Sequence, residues 1–153
     1  MQIRIEATDL PGRTCAAAPG FPGYSGIHVA VQRRGRGDDL LDPYPGDAPE
    51  AVWTLECTAA RTEAGVDFKG RCVQGRPGAR FLYLTWGAVD EAGTFTMFRR
   101  AKLMLDAVDP QTVEAALESG VLVGRLGLTD AKGRPLCAAV RPPRIRWAAA
   151  SVA

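Results

Sequence analysis

The sequence has no asparagine, one histidine (His28) and three lysines (Lys69, Lys102 and Lys132). With a single histidine, a Ser-His or Cys-His nucleophile pair would have to use His28. That residue lies between Ile27 and Val29 in a strand pattern, the setting of an ordinary exposed or edge histidine. Zinc needs three or four Cys, His or acidic ligands at recognisable spacing. The four cysteines (Cys15, Cys57, Cys72 and Cys137) are scattered and form no C-x-x-C pair, so no metal and no cofactor is expected. Apolar runs are short as well. None reaches the eighteen residues of a membrane span, and the opening MQIRIEATDL lacks a signal-peptide core. A cytoplasmic location is the expectation.

Phosphate-binding loops are also missing. Gly35-Arg36-Gly37 lacks the third glycine, a following helix and a Lys-Ser/Thr pair. Gly124 and Gly127 form a G-x-x-G inside a strand pattern rather than between helices. Gly23-Tyr24-Ser25-Gly26 does not have the form of a nucleophile elbow. Asp38, Asp39, Asp42 and Asp47 match no EF-hand spacing and read as a solvated loop.

What is present is the composition of one globular domain spanning residues 1–153, with 46% hydrophobic and 24% charged residues. The net charge of +2 is too balanced for a nucleic-acid binder that works by bulk electrostatics. Nearly all the positive charge is arginine, which with abundant Ala, Gly and Pro points to GC-rich coding and lowers the information in any one arginine. A chain of this length needs no staples, so the cysteines are expected to be reduced and structural.

Alternation of aliphatic and polar residues predicts strands over 1–7, 27–31, 52–59, 66–74 and from Phe95 to Leu105. Phe81–Trp86, apolar on both faces, reads as a strand buried on both sides. Residues 35–50, with three prolines and three glycines, read as the longest irregular stretch. A helix is predicted over 110–119, with Asp109 as N-cap, Pro110 at the first helical position and Gly120 at the end. A hairpin is predicted from Val121–Leu128 through an Asp130–Gly133 turn to Leu136–Val140, with Ile145 and Trp147 in a short extended tail. The expected fold is mostly β: an antiparallel β-sandwich or small β-barrel with one short capping helix near 110–119.

One polar anomaly stands out. In the strand from Phe95 the inward phase reads Phe95, Met97, Arg99, Ala101, Leu103, Leu105, and a buried guanidinium is costly unless it meets a carboxylate or a bound anion. Lys69, Arg71, Arg76 and Arg80 lie in a neighbouring acid-free turn. Gln74, Tyr83 and Trp86 would add hydrogen bonding and an aromatic wall. Gln74, Arg80, Tyr83, Trp86, Arg99 and Arg100 are therefore the candidate site for a carboxylate or phosphate ligand. Two arrangements compete with it. A β-bulge at Phe98-Arg99-Arg100 would shift the phase, bury Phe98 and turn both arginines outward. Alternatively, Arg99 pairs internally with Glu56 or Asp106.

The segments IEATDLPG (5–12), VQRR (31–34), QGRPGARFLYLTWG (74–87), GTFTMFRRAKLMLDAV (93–108) and VLVGRLGLTDAKGRPLCAAVRPP (121–143) resemble a family of small uncharacterised proteins. It is a domain of unknown function found mainly in high-GC actinobacteria. The resemblance covers nearly the whole chain and implies a stand-alone bacterial protein, with no activity or site residues to carry over. The opening IRIEATDLPG is also similar to the start of a C2-type β-sandwich, an architectural likeness only.

The leading expectation is a non-catalytic binding domain for a small anionic ligand or a protein segment. A metal-independent enzyme using Glu56 or Asp106 as acid or base in a barrel cavity is the alternative. A homo-oligomeric interaction protein with an exposed sheet edge is the third reading.

Overall fold

A computed structural model describes residues 1–7, 28–33, 40–45, 48, 50–127 and 144–151. The alternation at the start becomes β1 (Gln2–Ala7), with Ile3, Ile5 and Ala7 fully buried. The next alternating segment becomes β4 (Ala51–Glu56), burying Ala51, Trp53 and Leu55. β1 pairs antiparallel with β4 and parallel with β9 (Val121–Gly127), and β10 (Arg144–Ala149) completes a sheet of order β10-β9-β1-β4. The second sheet is antiparallel throughout. Its strands β2 (His28–Gln32), β3 (Leu40–Pro45), β7 (Phe81–Val89) and β8 (Phe95–Met104) run in the order β3-β2-β7-β8.

The inner faces share one core: Ile3, Ile5, Trp53, Leu55 and Leu122 from the first sheet, Val29, Val31, Leu82, Leu84, Trp86 and Leu103 from the second. Each such side chain contributes roughly 1.5–3 kcal/mol by leaving water. The Trp53 indole N–H donates to the Asp42 carbonyl at 2.9 Å, and its ring meets Tyr44 edge-on at 5.4 Å, joining the sheets along one side. The result is a mostly β, sandwich-like arrangement with one short helix.

That helix, α1 (Pro110–Ser119), has the anticipated ends. The Asp109 carboxylate accepts from the Thr112 N–H at 3.0 Å, and Gly120 at φ 79° donates its N–H to the Ala116 carbonyl at 2.8 Å. α1 rests against β9 and β10, with Val113 and Ala116 in the core.

Three sequence readings need correction. The irregular 35–50 stretch contains β3, at a sheet edge where a proline's missing N–H breaks no ladder. β3 is bulged: Val29 pairs with Tyr44 and Val31 with Leu41, so Asp42 and Pro43 oppose Ala30, and Asp42 takes a φ of 33°. Second, the strand anticipated over 52–59 is two elements. The Cys57 N–H donates to the Met1 carbonyl, ending the run with β1. The chain then leaves as β5 (Thr58–Thr62), which pairs antiparallel with β6 (Gly65–Lys69) in a separate hairpin. Third, the strand expected over 66–74 stops at Lys69. Gly70 packs so closely on Glu56 and Cys57 that a Cβ would lie 2.7 Å from the Glu56 carbonyl, and the chain turns there. β9 has β1 on one edge and β10 on the other along Leu122–Leu126. The expected tail is β10. Leu136–Val140 itself lies outside the described residues.

β8 carries a bulge. Trp86 pairs with Arg99 but Gly87 pairs with Met97, leaving Phe98 as the extra residue of a bulge. Gly87 fits the tight bend, since a Cβ there would collide with the Thr96 carbonyl and the Phe95 ring. Register partners share a face, so the bulge divides the six residues read as one face. Leu103 and Leu105 point into the core, while Met97 and Phe95 pair with Gly87 and Val89 on the opposite face of the sheet.

Candidate functional site

The bulge also determines what becomes of the arginine-centred group. Arg100 pairs with Thr85 and turns outward, its guanidinium 4.4 Å above the Tyr83 ring. Lys102 lies 4.5 Å over Phe81 on the same face, and Phe81 meets Tyr83 edge-on at 4.8 Å. Trp86 points the other way and is buried in the core. Gln74 forms a two-bond bridge with Phe81, its N–H donating at 2.9 Å and its carbonyl accepting at 3.1 Å. Arg99 is in register with Trp86, and its side chain lies outside the described residues. Tyr83 and Arg100 are therefore brought together, whereas Trp86 and Arg80 stand apart from them.

Arg80 has an internal carboxylate. Its Nε and Nη2 donate to the two oxygens of Asp67 at 2.9 and 3.3 Å, and Nη1 donates to the Gly75 carbonyl at 2.6 Å. Both side chains are largely covered, 13% exposed for Arg80 and 7% for Asp67. The guanidinium holds the Asp67 carboxyl below the usual carboxylate range, against burial, which pushes it up. This two-bond fork is strong and geometrically specific.

The Arg80–Asp67 pair stands beside a cleft of about 420 Å³. Three separated segments wall it: the β5–β6 hairpin with Thr62, Val66, Asp67 and Phe68, the turn at Pro77 and Gly78, and the stretch from Leu105 to Glu114 that ends β8 and starts α1. Its apolar lining is Val66, Phe68, Leu105, Val108 and Val113. At its rim Glu114 on α1 takes a two-bond fork from Arg61 on β5, with Nη2–Oε2 at 2.6 Å. That bond holds the Glu114 carboxyl down as well. A smaller recess of about 40 Å³ adjoins, bordered by Arg80 and Asp106. Asp106 is exposed and, among the described residues, has no ion-pair or hydrogen-bond partner.

Sequence reasoning reached two residues of this neighbourhood, Arg80 and Asp106, for other reasons. It missed Asp67 and the cleft. An aspartate between Val66 and Phe68 in a strand was a detectable signal, as unusual as an arginine in an apolar phase. Glu56 lies elsewhere, accepting from Gln2 Nε2 at 2.7 Å on the solvent face of the first sheet. Cys57 and Cys72 are buried, reduced cysteines, and burial pushes the Cys57 thiol up to about 11. Cys15 and Cys137 lie outside the described residues. Among the described residues no three Cys, His, Asp or Glu side chains gather to hold a metal ion, and no helix is long and apolar enough to cross a membrane.

A family model described as "Family of unknown function (DUF5990)" matches residues 1–150, and the chain belongs to that family. No curated protein and no solved structure matches it.

Proposed function

We propose that this member of the DUF5990 family is a non-catalytic binding domain, and that its cleft takes a small ligand with an apolar body or a short protein segment. The carrying observation is the contrast between the buried side chains between the sheets and an open, apolar-lined cleft of a size suited to a small molecule. The two arginine–carboxylate forks beside it brace its walls without needing a ligand. The anion-binding form of this reading has less support, because Arg80 already holds Asp67 and Arg100 is stacked on Tyr83. For assembly, the observation is equally sparing: Val52 is the one large apolar side chain exposed among the described residues. The arginine-rich, asparagine-free composition supports an actinobacterial source.

Ala64, exposed in the hairpin turn, lines the cleft. Ala64→Trp should fill it without touching the core. In a thermal-shift screen of small cyclic and branched apolar compounds, some should stabilise the wild type and none the variant. Hits that stabilise both proteins equally would place binding elsewhere and sink the proposal.

A further inference from the structure

We infer that the cleft prefers ligands carrying a positive charge, such as a primary ammonium, beside their apolar body. This rests on the binding-domain reading and adds the sign of the ligand's charge.

The feature is the cleft itself, and its charged groups decide only which end a ligand can place there. The ionisable side chains lining it are Asp67, Asp106 and Glu114, all acids. Asp67 comes from β6, Glu114 from α1 and Asp106 from the loop between β8 and α1. Two cations pair with these acids, Arg80 with Asp67 and Arg61 with Glu114, and Arg80 also borders the recess. Each fork cancels its own charge. Asp106 is left over, at the point where the cleft meets the recess. The three lining acids and their two arginine partners therefore sum to one negative charge.

An ammonium at Asp106 would gain a charge-assisted hydrogen bond while its hydrocarbon covers Leu105, Val108 and Val113. A carboxylate there would face Asp106, and Arg80 has already committed Nε and one N–H of each terminal nitrogen to Asp67 and Gly75. Because Asp106 is exposed, the preference is modest and screened by salt.

Three probes of similar shape separate the possibilities: cyclohexylmethylamine, cyclohexylmethanol and cyclohexanecarboxylate, titrated at low salt and followed by amide chemical shifts. The amine should bind roughly fivefold more tightly than the alcohol, the gain of one exposed charge pair, with the carboxylate weakest. Asp106→Asn should erase the amine's advantage over the alcohol. If amine and alcohol bind the cleft equally, or the carboxylate binds best, the charge preference is wrong while the cleft reading stands. If none of the three shifts the cleft residues, the reading beneath fails and takes the preference with it.

Discussion

The sandwich and the hairpin annex are built on opposite terms. Between the two sheets, Trp53, Trp86, Ile3, Ile5 and Leu84 leave no more than 1% of their surface exposed. Where β5–β6, the 75–79 turn and the start of α1 come together, the same chain leaves a cleft and uses ion pairs to hold its walls. On the proposed reading, stability belongs to the first region and ligand binding to the second. Close packing resists any change of volume, whereas a wall held by forks can change its lining without loss of the fold.

The largest effect that would break this contrast is in the core. Trp53→Ala removes a buried indole and its bond to Asp42, and should cost about 3–5 kcal/mol in urea denaturation. A much smaller cost would mean that the sandwich is not the stabilising region.

Arg80→Met comes next, because it leaves the Asp67 carboxylate covered and unpaired. A loss of about 2–3 kcal/mol is expected, with most of it regained in the Arg80→Met, Asp67→Asn double variant. Non-recovery would show that Arg80 acts through packing rather than through its partner.

A third effect depends on pH. Asp67 titrates lower in the folded chain than in the unfolded one. Its contribution to stability is thus fully present above the ordinary aspartate value of about 3.9 and fades as pH falls through the lower folded value. Wild type should lose stability more steeply than Asp67→Asn below about pH 4, and the two slopes should coincide near neutrality. Parallel curves at all pH values would contradict the assignment.

The smallest effect is at the rim. Arg61 and Glu114 are solvent-exposed, and such pairs add little to stability, so Arg61→Ala should leave the denaturation midpoint unchanged. A clear fall would make the annex part of the stabilising framework and blur the comparison.

Much of the sandwich was legible because its signals are local. The 2-residue period of β1 and β4 and the caps at Asp109 and Gly120 each lie within one element. β3 was hidden by its prolines, whose acceptability depends on its having a free edge, a tertiary fact. The bulge at Phe98 was foreseeable as an alternative but not decidable, since only the pairing with β7 counts residues on both strands. The cleft was the least legible feature. Asp67 and Arg80 are thirteen residues apart and Arg61 and Glu114 fifty-three, and no periodicity links the three segments that wall it.

The central claim, that the annex and not the arginine-bearing sheet face is the binding site, is tested most directly by mapping one neutral probe. Cyclohexylmethanol titrated into isotopically labelled protein should shift the amides of Val66, Phe68, Val108 and Val113 in a saturable way, and Ala64→Trp should abolish those shifts. Saturable shifts centred instead on Tyr83, Arg100 and Lys102, unaffected by Ala64→Trp, would contradict it.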